Sequence, residues 1–122
     1  MDTQFDTTLT VLMPVYNASL FLKDAIESVL NQSYANFEFI IINDGSTDNS
    51  LEIIKSFTDK RITLINNERN LGIIKSRNIG LKRATGKYIA NMDADDISLP
   101  TRFEKQIDYL EKNPKVAILA SK

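Results

Sequence analysis

The chain has 122 residues, a formal net charge of −1, 43% hydrophobic residues and 25% charged residues. These values are typical of one globular domain, and they leave no basic surplus for a sequence-independent grip on nucleic acid. Cysteine and histidine are absent, which excludes disulfides, thiolate and imidazole metal sites, and histidine-based acid–base catalysis. Any catalysis must therefore use carboxylates, amines, hydroxyls, amides or a hard metal ion.

The N-terminal residues MDTQFDTT are polar and acidic, without the basic start and apolar core of a signal peptide. No apolar run approaches the ~20 residues that span a bilayer. We therefore expect a cytoplasmic domain covering residues 1–122, with no transmembrane segment and no nucleic acid partner. Peripheral docking at the inner face of a membrane stays open.

Short apolar runs alternate with segments of helical spacing along the chain. The predicted elements, in chain order, are a strand at Leu9–Met13, a helix at Leu20–Gln32, a strand at Phe37–Asn43, a helix at Ser50–Phe57, a strand at Arg61–Asn66, a helix at Gly72–Ala84, a strand at Lys87–Met92, a helix from Pro100 past Leu110, and a strand at Val116–Ala120. The third of these helices is expected to align Ile74, Arg77 and Leu81 on one side.

Turn and capping residues set the expected limits of these elements. Pro14 is expected to end the first strand, and Ser19 to cap the first helix. Thr47 or Asp48 is expected to cap the second helix, and Pro100 suits the first turn of the last.

Continuous apolar strands separated by helices predict a parallel sheet that is covered on both faces. The expected fold class is therefore α/β, a Rossmann-like three-layer α/β/α arrangement with a mostly parallel sheet and right-handed crossovers. In such sheets the ligand crevice lies beyond the carboxyl ends of the strands. The residues that directly follow each strand are therefore the candidates for function.

Four polar segments follow the first four predicted strands. They are PVYN at 14–17, NDGSTDNS at 43–50, NERNLG at 67–72 and DADD at 93–96. The residues in these segments also have structural interpretations. Tyr16 can cover the edge of the sheet, and Asp48 is favoured as a helix cap. Arg77 and Lys75 fit a solvated helix face.

The three aspartates Asp93, Asp95 and Asp96 are harder to explain structurally. A cap on the last helix would account for Asp95 or Asp96, but not for three like charges, which are unfavourable together unless a cation compensates them. Carboxylate oxygens suit Mg²⁺ or Mn²⁺, which take part of their shell from substrate phosphates. Glycine-rich phosphate-binding loops of the Gly-x-Gly-x-x-Gly and P-loop types are absent. We therefore expect a bound metal ion to hold the diphosphate.

Four stretches of the chain together resemble family 2 glycosyltransferases, which are inverting enzymes of the GT-A fold. They are TVLMPVYNASLFLKDAIESVLNQSY, FEFIIINDGSTDNS, NLGIIKSRNIGLKRATGKYIANMDADD and LPTRFEKQ, in this order. The resemblance runs from about Leu9 to Lys122, and it implies a donor such as a UDP-sugar and a glycan or lipid-linked acceptor in polysaccharide biosynthesis.

The resemblance also implies a set of site residues. Tyr16 would stack on the base, commonly uracil, in a pocket framed by Pro14 and Val15, while Asp44 accepts a hydrogen bond from the base. Arg77, with Lys75 as a second candidate, would lie near the base or diphosphate.

Asp93, Asp95 and Asp96 match the family's Asp-x-Asp-type motif. One of Asp95 and Asp96 would bind the Mg²⁺ or Mn²⁺, and another of the three would contact the ribose or a metal-bound water. Which carboxylate does which stays open.

Family members usually run well beyond this length, and their later half supplies the acceptor site and a carboxylate general base. The resemblance therefore implies a donor-nucleotide half, with the general base beyond Lys122 and little sugar transfer by this chain alone.

Two alternatives stay open. One is a nucleotide-sugar binding module without transfer activity. The other is a Mg²⁺-dependent phosphoacceptor signalling domain, which would need acidic residues after the first strand, where PVYN stands instead.

Overall fold

Residues 7–113 are described by the computed structural model, and they form alternating strands and helices. In chain order the elements are β1 (Thr7–Val15), α1 (Leu22–Leu30), β2 (Phe37–Asp44), α2 (Ser50–Lys55), β3 (Ile62–Asn67), α3 (Ile73–Arg83), β4 (Gly86–Asn91) and α4 (Arg102–Lys112). The predicted strand at Val116–Ala120 lies outside the described residues.

The four strands form one sheet in the order β3-β2-β1-β4, and every neighbouring pair is parallel. The central strands β1 and β2 are buried on both sides, which explains why their sequences are continuously apolar rather than alternating. The prediction of an α/β fold with a parallel sheet is confirmed.

Helices cover both faces of the sheet. On one face, side chains of α1, α2 and α4 pack with Val11, Met13 and Phe39 in the main core. On the other face, a smaller cluster is centred on Leu12, Ile40 and Ile42, which lie under α3. The chain thus has three layers, and the carboxyl ends of all four strands meet at one edge.

Helix α3 does not pack on the sheet through the side on which Ile74, Arg77 and Leu81 were expected to align. Ile74 and Leu81 are exposed, and the buried residues of this helix are Ser76 and Gly80. A Cβ atom at Gly80 would lie 2.9 Å from Cδ1 of Ile42. Small residues therefore let α3 approach the sheet closely, and Ile73, Ile74 and Leu81 are left exposed.

Pro14 lies inside β1, so the prediction that it ends the strand is wrong. It is in register with Ile42 of β2. The Leu12 carbonyl accepts a hydrogen bond from the Met92 N–H at 2.8 Å, so Leu12 and Pro14 direct their backbone groups toward β4. Because the pairing of β1 with β4 ends at Leu12, the missing proline N–H costs no ladder hydrogen bond.

Two helix starts also differ from the predictions. Helix α1 begins at Leu22, and Ser19 is not its cap because the chain first turns through residues 19–21. Helix α4 begins at Arg102, so Pro100 lies in the turn before it rather than in its first turn. The turn before α1 is held by Asp48 and Ser50, and the turn before α4 is held by Gln32 and Ser33 at the end of α1.

Candidate functional site

A pocket of about 200 Å³ opens at the carboxyl ends of β1 and β2, beside the start of α3. It is lined by Pro14, Val15, Tyr16, Asp44, Asn70, Gly72 and Ile73. The structure thus brings together four residues that the sequence singled out, and it adds three from the β3–α3 connection. The Tyr16 side chain is 51% exposed, so its ring can receive a flat ligand.

Asp44 is the buried acid of this pocket, with 3% of its surface exposed. Its Oδ1 accepts hydrogen bonds from the Leu71 N–H at 2.8 Å and from the Asn67 side-chain amide at 3.1 Å. Its Oδ2 accepts one from the Gly72 N–H at 2.9 Å. Asp44 therefore fixes the β3–α3 connection, and Oδ2 retains the capacity to accept a further hydrogen bond.

The surroundings of Asp44 favour its ionised form. Burial raises the pKa of its carboxyl, but the hydrogen bonds from Leu71, Asn67, Gly72 and Ser76 together lower the pKa below the ordinary value of 3.8. The pocket thus contains a fixed negative charge whose donors all come from the chain itself.

Gly45 allows the loop after β2 to pack against the loop after β3. Its φ angle is +71°, in the left-handed region. A Cβ atom at this position would lie only 2.4 Å from the Arg69 carbonyl carbon. Any other residue would therefore push these loops apart, and with them the two sides of the pocket.

Asn17 connects the loop after β1 to the loop after β2. Its φ angle of +49° is tolerated by asparagine better than by most residues. Its Oδ1 accepts the Thr47 N–H at 2.7 Å and the Asp48 N–H at 3.3 Å, and its own N–H donates to Ser46 Oγ at 3.0 Å. These contacts fix the backbone directly after Tyr16.

Asp48 completes the connection between these loops and has the predicted capping role. Its Oδ1 accepts the Ser50 N–H at 2.9 Å, and its Oδ2 accepts the Ser19 N–H at 3.2 Å. Asn49, which occupies the N-cap position of α2, makes no side-chain capping hydrogen bond. Hydrogen bonds from Ser50, outweighing the effect of burial, and from Ser19 lower the pKa of Asp48 from 3.8 to about 2.

We expect the folding stability of Asp48→Asn to fall less steeply with decreasing pH, in the acid range, than that of the parent. Because the folded-state pKa of Asp48 is depressed, its contribution to stability is present above the unfolded value of 3.8 and is lost as the pH falls toward about 2. The variant should start less stable at neutral pH and lose less stability over that interval. Urea denaturation from pH 6 down to pH 2 measures this, with Asp24→Asn as an exposed control. Equal slopes in the parent and Asp48→Asn would contradict the assignment.

The segment DADD follows β4 and forms a tight turn, in which the Asp96 N–H donates to the Asp93 carbonyl at 3.1 Å. Each of Asp93, Asp95 and Asp96 offers a carboxylate oxygen, and these oxygens lie within 4.8 Å of one another. Asp93 and Asp95 are exposed and Asp96 is half-buried. The turn thus presents three hard oxygen ligands on one side, a donor set that fits Mg²⁺ or Mn²⁺ with part of the shell left open.

Two arginines partly compensate this negative charge. Arg77 Nη2 lies 3.3 Å from Asp93 Oδ1, and Arg77 Nε is buried without a hydrogen-bond partner among residues 7–113. Arg102 lies close enough to Asp96 and Asp93 for both carboxylates to favour its charged form. Asp93 is therefore already paired, whereas Asp95 makes no ion pair within residues 7–113.

Neither Asp95 nor Asp96 caps α4, so this structural alternative is not supported. The acceptor at the start of α4 is Gln32 Oε1, which accepts the Phe103 N–H at 3.0 Å. Gln32 is 6% exposed, and its amide nitrogen donates to the Leu99 carbonyl at 2.6 Å. The carboxylates are thus free of a role in starting this helix.

Helix α3 links the pocket to the acidic turn. Its first residues line the pocket, and one turn further on Arg77 reaches Asp93. Lys75 is exposed on the same helix and is not among the residues lining the pocket. The pocket and the acidic turn therefore both lie at the carboxyl ends of strands in one sheet, and α3 contributes residues to each.

Sequence reasoning missed several residues of this site. Asn17, Asn70 and Ile73 stood in stretches that had been noted only as strand ends or helix starts, and Arg102 stood in the quoted segment LPTRFEKQ without a role. A polar side chain next to an assigned strand-end residue is a weak signal. The contact of Arg102 with the acidic turn depends on how α4 packs.

The three-layer sheet, with its pocket and acidic turn at the carboxyl edge, has the architecture of GT-A glycosyltransferases. The S. aureus TarS 1-349 structure in complex with UDP-GlcNAc superposes with a TM-score of 0.83 at 25% identity, covering 88% of this chain and 33% of that one. The chain belongs to glycosyl transferase family 2, because the model of that family matches residues 10–121. Membership favours the glycosyltransferase interpretation over the phosphoacceptor alternative, and it supports an enzymatic role.

Two relatives illustrate the similarity in sequence. An uncharacterized glycosyltransferase of Haemophilus influenzae is 47% identical over 115 residues, which cover 93% of this chain and 36% of the relative. The Escherichia coli UDP-Glc:alpha-D-GlcNAc-diphosphoundecaprenol beta-1,3-glucosyltransferase WfgD is 41% identical over 108 residues, covering 88% of this chain and 43% of that protein. The chain thus spans about two fifths of these relatives' length. Within residues 7–113, no helix is both long and apolar enough to cross a membrane.

Proposed function

We propose that residues 1–122 are the donor-binding domain of an inverting, metal-dependent glycosyltransferase that uses a UDP-sugar. The observation that carries this proposal is that the Tyr16–Asp44 pocket and the acidic turn with its Arg77 partner both lie at the carboxyl edge of the same sheet. A nucleoside diphosphate has the same order of parts: a flat base, a ribose and two phosphates. The pocket suits the base, and the acidic turn suits a metal-bound diphosphate.

The base is assigned to the pocket framed by Pro14 and Val15. Tyr16 offers an exposed aromatic face for stacking, which contributes about 1–3 kcal/mol per base. Asp44 Oδ2 accepts the Gly72 N–H, and because a carboxylate oxygen can accept more than one hydrogen bond, it would also accept one from an N–H of uracil. This acceptor is the reason to expect UDP to bind more tightly than CDP or ADP.

The metal, Mg²⁺ or Mn²⁺, is assigned to Asp95 and Asp96, and Asp93 is assigned to the ribose or a metal-bound water. When bound, the metal would act as a Lewis acid that stabilises the departing diphosphate. Arg77 would place its guanidinium beside the diphosphate, with Lys75 as a second cation on the same helix. These cationic groups favour the charge that develops on the leaving group.

The acceptor half of the reaction is not assigned to the residues identified here, because all of them are assigned to the donor and the metal. The H. influenzae and E. coli relatives are longer than this chain. We propose a glycan or a lipid-linked acceptor, because the E. coli relative is named for a diphosphoundecaprenol-linked acceptor. A role in polysaccharide biosynthesis at the cytoplasmic face of a membrane would follow.

We expect Tyr16→Ala to weaken UDP binding about 10- to 100-fold, because a stacking contribution of about 1–3 kcal/mol is lost. Tyr109→Ala is the matched control, since Tyr109 is 47% exposed and Tyr16 is 51% exposed. Calorimetric titration with UDP, CDP and ADP, in Mn²⁺ and in a chelator, measures the effect. UDP affinity that is equal in Tyr16→Ala and the control, or no UDP binding by the parent, would refute the proposed site.

A further inference from the structure

Arg102 lies under the acidic turn and contacts both ends of the segment that carries it. Its Nη2 donates to the Asn91 carbonyl at 3.2 Å, where β4 ends. Its Nη1 donates to Ser98 Oγ at 2.7 Å. Asn91 and Ser98 flank residues 92–97, so a single guanidinium bridges the base of the loop that contains all three aspartates.

The far end of this loop is itself attached to α1. Ser98 is 7% exposed, and its N–H donates to Ser28 Oγ at 3.0 Å. The next carbonyl, that of Leu99, accepts the Gln32 amide. The loop is thus held by β4 on one side and by α1 on the other, and Arg102 joins the end of β4 to Ser98, the loop residue that contacts α1.

The environment of Arg102 is unusual for a residue whose only role is on the surface. Burial lowers the pKa of its guanidinium, and the charges of Asp96 and Asp93 oppose that effect. An arginine is desolvated at a cost, which is offset here by fixed acceptors and by nearby carboxylates. Burying an arginine at this desolvation cost is expected where the conformation of the loop is needed for function.

We propose that Arg102 is a positioning residue that holds the three carboxylates in the arrangement needed to bind the metal–diphosphate. This inference rests on the function proposed above and adds a residue that acts through the loop rather than by touching metal or donor. Groups that orient metal ligands in this way typically change metal affinity 10- to 100-fold when they are replaced. The fork of the guanidinium is essential, because it reaches Asn91 and Ser98 at the same time.

A simple electrostatic role makes a different prediction. If Arg102 contributed only charge, Arg102→Lys would behave like the parent, and Arg102→Gln would bind Mn²⁺ more tightly because a nearby positive charge is removed. If Arg102 acts as a two-point clamp, lysine fails as well, since a single ammonium on a flexible stem cannot reproduce the planar fork.

The experiment compares the parent with Arg102→Lys and with Arg83→Lys, an identical substitution at an exposed position of α3. Electron paramagnetic resonance measures bound Mn²⁺ in the presence of UDP, and calorimetry measures UDP affinity with Mn²⁺ and with a chelator. Amide hydrogen exchange on the metal-free chain follows residues 92–98. Ser98→Ala removes one attachment without changing any charge and serves as a second variant if Arg102→Lys folds poorly.

We expect Arg102→Lys to lose at least tenfold of the Mn²⁺-dependent gain in UDP affinity, with little change in chelator. Exchange at residues 92–98 should rise while exchange in β1 and β2 stays as in the parent, and Ser98→Ala should show the same pattern more weakly. Unchanged Mn²⁺ dependence in Arg102→Lys, or unchanged exchange in that loop, overturns the inference. If the parent itself shows no Mn²⁺-dependent UDP binding, the proposed function fails and the positioning role fails with it. Exchange in Arg102→Lys then still decides whether the clamp exists.

Discussion

Replacing Asp95 or Asp96 by alanine is expected to abolish most of the Mn²⁺-dependent gain in UDP affinity, while the metal-free fold stays as stable as the parent. The three carboxylate oxygens lie within 4.8 Å of one another, so removing one charge relieves repulsion, which for Asp96 balances the lost attraction to Arg102. Neither substitution should destabilise the start of α4, because Gln32 and not an aspartate accepts the hydrogen bond there.

A helix-capping role predicts the opposite result. Loss of a capping carboxylate would cost ~1 kcal/mol of stability and leave UDP binding independent of metal. Thermal melts with and without UDP and Mn²⁺ separate the two, with Asp108→Ala as an exposed acidic control on α4. If the Mn²⁺ effect were unchanged in both the Asp95 and Asp96 variants, the metal assignment would be ruled out.

Replacing Asp44 by alanine is expected to destabilise the fold by about 3–5 kcal/mol. Each hydrogen bond to a charged group contributes about 1.5–3 kcal/mol, and such contributions are not fully additive. The variant leaves the N–H groups of Leu71 and Gly72 and the Asn67 amide without this acceptor. Because domains of this size are stable by only about 5–15 kcal/mol, the loss would be a large part of the total.

Urea denaturation of Asp44→Ala, beside Glu68→Ala as an exposed acidic control on the same connection, measures this loss. UDP titration of the folded fraction then tests the base assignment separately, with a tenfold or greater loss expected. Asp44→Asn should also destabilise, since an amide nitrogen would face N–H donors on one side. A stability within 1 kcal/mol of the parent in Asp44→Ala would show that the carboxylate does not hold the β3–α3 connection.

The sequence by itself determined the alternation of strands and helices and the edge at which function should lie. Continuous apolar runs at β1 and β2 predict strands buried on both faces, because a strand with one wet face would alternate. Parallel strands bring their carboxyl ends together. This rule placed Tyr16, Asp44 and the three aspartates on one edge, as the structure shows for the pocket and the acidic turn.

Only the tertiary structure decided which polar groups already make hydrogen bonds within the chain. Asp44 was expected to be available to a ligand, but it accepts donors from residues 23 to 28 positions away. A cap from Asp95 or Asp96 was the structural alternative for the start of α4, but Gln32, 71 positions before Phe103, provides the acceptor. Periodicity encodes local conformation, whereas such partners depend on how distant elements pack.

The same physical reason explains α3 and Arg102. Periodicity aligned Ile74 and Leu81 on one side of α3, but close approach to the sheet selected Ser76 and Gly80 for the buried side. Arg102 was one unassigned residue of an amphipathic helix until the packing of α4 placed its guanidinium between Asn91 and Ser98. The sequence thus determined which strand ends carry the chemistry, and packing decided which side chains support them.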